Sequence, residues 1–343
     1  MIVRRLLARA AVSAAVRAAI GAATGAAVGV GVIAAAVVCA AAQAPAQPAV
    51  QAPAPQENPM FRTRAAGVRI DVLVTEDERP VPNLTEKDFE LTDHGVAQQV
   101  EVSRLHDLPV DVIVVLDNST SLGVDGLKNL IRATDTLIGR LNAGDRVALV
   151  TFSQVVVLRS ALTDDTAKVR AMVQGLEVQG STSVIDASFA AAMLQSDADR
   201  SSLMLVFSDG VDTASWLDAE RVLAAIRRAA VVPYAVVVGN EVTLTGEAPV
   251  PLGARRSTSS IEAFDAAERF LRDLVVTGGG VFVHAEDTRA LERRFAEALD
   301  SFRQRYVLTY APQGVEGSGW HPVTIKVKGH RYRIRARPGY LVP

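Results

Sequence analysis

The chain predicts an α/β protein: a doubly wound, mostly parallel sheet flanked by helices, with a small β module built from the N- and C-terminal flanks. Two observations carry this. Between about residues 108 and 303, continuous apolar runs alternate with stretches whose apolar residues recur at three- and four-residue steps. On either side of that region the apolar period drops to two. Strands that are apolar throughout are buried on both faces, and the intervening amphipathic helices supply the cover.

The elements follow in order. Arg4, Arg5, Arg9 and Arg17 precede a charge-free stretch from Ala18 to Ala42, rich in Ala, Gly and Val. A basic segment ahead of an apolar one, closing on Ala40-Ala41-Ala42, predicts an export signal over residues 1–42 and a destination in the periplasm, cell envelope or extracellular space. An apolar run of about 25 residues is also long enough to remain as an uncleaved anchor, the one membrane contact expected. Cys39 is the only cysteine, so the exported product holds no disulfide and depends on its core. Cleavage after Ala42 removes four arginines and no acids, taking the formal net charge from −2 to −6. A mildly acidic product without a basic run argues against nucleic acid as a partner. Residues 43–60 carry Pro45, Pro48, Pro53, Pro55 and Pro59 and read as an extended linker.

Residues 61–104 read as a small β module. Val68, Ile70, Val72 and Val74 alternate with Arg69 and Asp71; Thr85 to Asp88 makes a capped turn before Phe89 and Leu91; Val96, Val100 and Val102 suggest an edge or hairpin strand. The region 108–303 then supplies apolar strands at Val112–Leu116, Val147–Phe152, Leu203–Phe207, Val231–Val238 and Val281–Val283. Between them lie helical patterns through Leu127 to Leu141, Ile185 to Leu194, Val222 to Ile226, Phe264 to Leu274 and Leu291 to Phe302, with Ser259 and Glu262 as a capping box. Gly239 to Thr258 lacks any period and reads as an exposed loop. Residues 304–343 return to alternation at Tyr306–Tyr310, Val323–Val327 and Tyr332–Ala336, with a tight turn expected at Lys328-Gly329-His330 between the last two strands. Neither flank has enough strands to bury a face alone, so the two are expected to pack together.

The chemistry sits where strands end. Asp117, Asn118, Ser119, Thr120 and Ser121 follow directly on Val112–Leu116. An aspartate with hydroxyls at alternate positions is a set of hard oxygens suited to Mg²⁺, Mn²⁺ or Ca²⁺. In an open parallel sheet, ligands bind beyond the carboxyl ends of the strands. Two further oxygen-bearing loops reach that edge: Gly180-Ser181-Thr182-Ser183, and Ser208-Asp209-Gly210. Taken singly, each is also an ordinary turn or helix cap; together they point to a cation site.

These residues resemble the von Willebrand factor type A domain, whose metal-ion-dependent adhesion site joins an Asp-x-Ser-x-Ser motif to a distant Thr and a distant Asp. By position, the resemblance implies Asp117, Ser119 and Ser121 for the motif, Thr182 for the threonine and Asp209 for the aspartate. It implies that both serines bind the metal directly and that the others act directly or through water. Ser181 stands where the family often has glycine. The segments Val68–Val72, Leu84-Thr85 with Asp88-Phe89, Asp209–Thr213 and Arg337–Tyr340 further resemble the exported bacterial VWFA-related group, over residues 65 to 341.

The function expected is a non-enzymatic, metal-dependent module that binds an Asp or Glu carboxylate of a protein partner. One competing reading is a structural envelope-assembly protein whose metal only holds loops together. The other is a Mg²⁺-dependent hydrolase, against which stands the lack of an Asp-x-Asp pair, a phosphate-cradling Gly-Lys loop and a Gly-x-Ser-x-Gly elbow. Asp186 and Asp212 read as loop-shaping hydrogen-bond partners. The five histidines show no zinc-ligand spacing. Trp216 and Trp320 read as packing residues, and Arg331, Arg333, Arg335 and Arg337 as a solvated strand face.

Overall fold

A computed structural model describes residues 67–194, 197, 199–209, 212–238 and 258–342 of the 343-residue chain. The expected export signal, the linker and the loop from Gly239 to Ser257 lie outside the described residues, as do the side chains of the Ser259–Glu262 capping box. No described helix is long and apolar enough to cross a membrane.

The N-terminal flank forms strands β1 (Val68–Glu76), β2 (Arg79–Pro80), β3 (Phe89–Asp93), β4 (Val96–Gln98) and β5 (Glu101–Arg104). The central region runs β6 (Val110–Asp117), α1 (Gly123–Gly139), β7 (Arg146–Phe152), β8 (Val156–Thr163), α2 (Thr166–Gln174), α3 (Val184–Ala192) and β9 (Ser201–Ser208). It continues with α4 (Ala219–Ile226), β10 (Val231–Val238), α5 (Thr258–Thr277), β11 (Val281–Ala285) and α6 (Leu291–Arg303). The C-terminal flank adds β12 (Tyr306–Tyr310), β13 (Gly319–Val327), β14 (Arg333–Arg335) and β15 (Gly339–Val342).

The six central strands lie in the order β11-β10-β9-β6-β7-β8, parallel except for β8. β6 and β9 are buried at every position, because alternate side chains enter different cores. Val112, Val114 and Leu116 pack with Leu130 of α1 and Phe295 of α6. Ile113 and Val115 pack with Ala187 of α3 and Leu271 of α5. That two-sided burial is the physical basis of the continuous apolar runs. The antiparallel edge strand β8 and the short helix α2 are not legible in the apolar pattern. β8 is largely part-exposed or exposed, and α2 buries only Val169 and Val173.

The flanks interleave in two further sheets. One runs β14-β1-β12-β5, the other β15-β13-β3-β4. Val72 of β1 pairs with Tyr306 of β12, and Ile325 of β13 with Leu91 of β3, around a core of Ile70, Leu91 and Leu308. The expected hairpin at Lys328-Gly329-His330 is a correction: β14 pairs with β1, not with β13. β13 is taken on one edge by β3 and on the other by β15, so the chain after Gly329 (φ 72°) crosses into the other sheet.

Buried charges lock the parts together. Asp111, fully buried at the start of β6, accepts hydrogen bonds from Arg146 Nε (2.9 Å) and Nη2 (2.7 Å) and from Arg200 Nε (2.8 Å). It thereby ties the starts of β6, β7 and β9. Arg305, also buried, precedes β12 and donates to the carbonyls of Gly279 (2.7 Å), Asp71 (3.3 Å) and Arg335 (3.3 Å). One side chain so links the central sheet to both flanks.

Candidate metal centre

Asp117 ends β6, and Ser208 ends β9 beside it, since Leu116 pairs with Phe207. The chain leaves β6 toward β7 and β8, then returns to β9 on the other side of β6. The carboxyl ends of β6 and β9 therefore bound the topological switch point, where the diverging connections leave a crevice.

Asp117 is fully buried and doubly held. One carboxylate oxygen accepts from Ser119 N–H (2.9 Å), the other from the Ser208 hydroxyl (3.1 Å). The first bond folds the chain back just past the strand, and a short 3-10 turn at Thr120–Leu122 follows. That curl brings Ser119 Oγ to 2.8 Å from Ser121 Oγ. Gly123, at φ 67°, then redirects the backbone into α1.

The second loop is pinned to the first. Gln179 N–H donates to Asn118 O (2.8 Å), Thr120 N–H and Oγ1 donate to Gly180 O (3.1 and 2.9 Å), and Asn118 Nδ2 donates to Glu177 O (2.8 Å). Thr182 follows, buried, with its own backbone gripped by the third loop: Thr213 and Ala214 N–H both donate to Thr182 O at 2.9 Å. Asp209 follows Ser208 and is part-buried. Its carboxylate is close enough to Asp117 to act on it. Burial first, and then the charge of Asp209, pushes Asp117 up to about 7 from an ordinary value of 3.8.

All five residues singled out from the sequence thus lie on three loops joined at one sheet edge. The donor set is two carboxylates and three hydroxyls: hard oxygens only. Two acids held close in a buried place favour a cation between them, and the residues present fit a small divalent metal. Among the described residues there is no cluster of three or more His, Cys, Asp and Glu.

Asp186 and Asp212 do shape loops. Asp186 accepts from Trp216 N–H (3.0 Å) and Leu217 N–H (2.9 Å); Asp212 accepts from Ile185 N–H (3.0 Å) and the Ser215 hydroxyl (2.7 Å). Together they rivet the loop after β9 onto the start of α3. Two sequence expectations need correction. Trp216 does not pack: it is 93% exposed on that loop, whose backbone at 216 is held by Asp186. The arginine row is not uniformly solvated either. Arg331 and Arg333 are exposed, but Arg335 and Arg337 are part-buried where β14 meets β1. Ser208 and Asn118 emerge as positioning residues; only the strand pairing singles them out from neighbouring polar loop residues.

A doubly wound sheet with hard-oxygen side chains on three joined loops at its switch point defines a class of α/β domains. The family model of the von Willebrand factor type A domain matches residues 111–245, and the chain carries such a domain. Several solved structures are similar. An aerotolerance-related membrane protein from Bacteroides fragilis NCTC 9343 is 17% identical, with 56% of this chain and 98% of that one covered and a TM-score of 0.42. Proximal thread matrix protein 1 from the mussel byssus, with a zinc-occupied MIDAS motif, is 15% identical over 61% of this chain and 49% of that one, TM-score 0.46. A von Willebrand factor type A protein from Catenulispora acidiphila is 11% identical over 82% and 74%, TM-score 0.45. The curated proteins include no significant match.

Proposed function

We propose that the chain is a divalent-metal-dependent protein-binding module, not an enzyme, that acts outside the cytoplasm and captures an Asp or Glu side chain of its partner. The observation that supports this reading is that Asp117, Ser119, Ser121, Thr182 and Asp209 lie on three loops hydrogen-bonded to one another at the switch point.

Ser119, Ser121 and Thr182 would hold the metal through hydroxyls, and Asp117 and Asp209 would balance its charge. Mg²⁺ is the natural candidate, with Mn²⁺ and Ca²⁺ as alternatives of the same hard-oxygen chemistry. When bound, such an ion supplies an electrophilic point where a carboxylate oxygen from outside can complete the coordination. The chain's own part is to keep that point open. Asp117 is immobilised by Ser119 and Ser208, Ser119 is buried, Ser121 is exposed and Asp209 is part-buried. Neutral hydroxyls in place of further acids leave the ion charge-hungry. On the loop whose Thr213 and Ala214 bond to Thr182, the exposed indole of Trp216 would offer an apolar contact, which suits a protein partner better than a free ion. Export rests on the basic-then-apolar N-terminal run of residues 1–42.

The test is a pull-down from envelope extract by the immobilised chain, with Mg²⁺ and with EDTA, beside Asp117→Ala. Capture that requires both the metal and Asp117 supports the reading. Capture that survives both overturns it. Chelation that lowers the melting temperature while releasing nothing assigns the metal a purely structural role.

A further inference from the structure

A groove of about 1030 Å³ opens at the opposite end of the central sheet, where β9 and β10 begin and the flanking strands meet α3 and α4. Along eight-residue β10 this lies about 25 Å from the metal edge. It is independent of the cation site and of the function proposed for it. Two segments that stand out in the sequence but play no part at the metal edge converge here. Arg69 and Asp71 come from the first strand, and Arg337 and Tyr340 from the closing Arg-Pro-Gly-Tyr run.

The charges around the groove do not balance. Arg200 is matched by Asp111 and Asp197 by Arg146 (2.8 and 3.1 Å). Asp71 accepts from Ser201 Oγ (2.6 Å), and Arg69 donates to Ser201 Oγ (2.8 Å) and Asp199 O (2.6 Å). The buried Nε of Arg69 meets no acceptor among the described residues. Arg337 donates to the carbonyl of Arg69 (2.6 Å). Among the described residues neither Arg337 nor Arg228 on the rim forms an ion pair; Asp71 is the acid that acts on Arg337 from a distance, and the lining still holds four arginines against two aspartates, an excess of positive charge. Its remaining wall is mostly apolar, with His321 and Tyr340 as polar exceptions. Met193 and Leu341 are large hydrophobic side chains left 45% and 41% exposed at its mouth, with Phe189 beside them. Space for a drug-sized ligand, a largely apolar wall and arginines in the same lining suit one kind of molecule.

We propose that this groove binds an amphipathic anion: an apolar chain bearing a single carboxylate, its head on Arg337 and Arg228 and its chain along Phe189, Met193 and Leu341. Charge selects this occupant over the chain's own residues before Gly67, since Arg62 and Arg64 there share the sign of the groove. A part-buried guanidinium is the natural partner of a carboxylate, through two parallel hydrogen bonds.

Decanoate tests this by isothermal titration against the full chain in EDTA. Saturable one-to-one binding is expected, at least tenfold tighter than for decanol or decyltrimethylammonium, and none with acetate. Arg228→Glu and Met193→Glu change exposed or partly exposed side chains and should each weaken decanoate at least fivefold with the melting temperature unchanged. Arg337→Gln should abolish binding, and Arg337→Lys should restore part of it. Equal affinity for all three ten-carbon ligands, indifference to Arg228→Glu, or no saturable binding would overturn the proposal. So would self-association that Leu341→Asp abolishes, which assigns the groove to a second copy.

Discussion

Replacing Asp117 by Asn separates the cost of the metal edge from its use. In the metal-free protein this carboxylate is buried beside Asp209, and its ordinary value of 3.8 rises to about 7. A folded-state value above the unfolded one means that the folded chain holds the proton more tightly. Stability therefore falls as pH climbs through the window from about 4 to 7. The cost is nearly absent at pH 4 and complete at pH 8. A shift of about three units corresponds to ~4 kcal/mol at most. Asn keeps the acceptor for Ser119 N–H, but its amide forces the Ser208 hydroxyl to turn and accept, which returns part of the gain. A net stabilisation of about 2–3 kcal/mol is expected in EDTA at pH 8, a rise in melting temperature of roughly 5–10 °C that shrinks toward zero at pH 4. Adding Mg²⁺ at a hundred times its dissociation constant should stabilise the native sequence by about 2.7 kcal/mol and leave Asp117→Asn unmoved. The assay is differential scanning fluorimetry over pH, with EDTA and then with Mg²⁺. If Asp117→Asn melts lower than the parent in EDTA at pH 8, or gains as much from Mg²⁺, the reasoning is wrong.

Three further outcomes are expected. Ser121→Ala removes a hydroxyl 2.8 Å from Ser119 Oγ and should weaken Mg²⁺ at least tenfold by titration calorimetry, with metal-free melting unchanged within about 0.5 kcal/mol. Trp216→Ala deletes an exposed side chain, so stability should hold, while retention of a metal-dependent partner on an affinity column should fall by about 2 kcal/mol or more; unchanged retention removes Trp216 from the interface. Gly280→Ala places a methyl 1.6 Å from the Pro233 carbonyl oxygen, where the chain leaving α5 enters β11 alongside β10; denaturant unfolding should show a loss of about 3 kcal/mol or more.

Much of the α/β region is legible because two-sided burial leaves a one-dimensional trace. β6, β9 and β10 are buried at nearly every position and stand out as unbroken apolar runs. β8 escapes because an edge strand exposed on one side mixes Arg159 and Ser160 among its apolar residues. The turn at Lys328–His330 misleads for a related reason. Turn chemistry reports that the chain reverses, not which strand it pairs with next, and β14 finds β1 more than 250 residues away. Trp216 shows the limit for single side chains. Composition favours burial for an indole, but Trp216 stands exposed on a loop whose backbone at 216 and 217 is held by Asp186.

By itself, the order of residues determined the strand-ending oxygens: Asp117, Ser119 and Ser121 lie within five positions, and local hydrogen bonding alone curls them together. Only the tertiary structure decided that the loops of Thr182 and Asp209 reach the same sheet edge. That meeting depends on β9 pairing with β6 and on backbone bonds from residues 213 and 214 to Thr182. The same holds for the excess arginines of the distant groove, drawn from both ends of the described chain. Contacts of short span leave a pattern in the sequence, whereas contacts between distant segments exist only once strand order has been chosen.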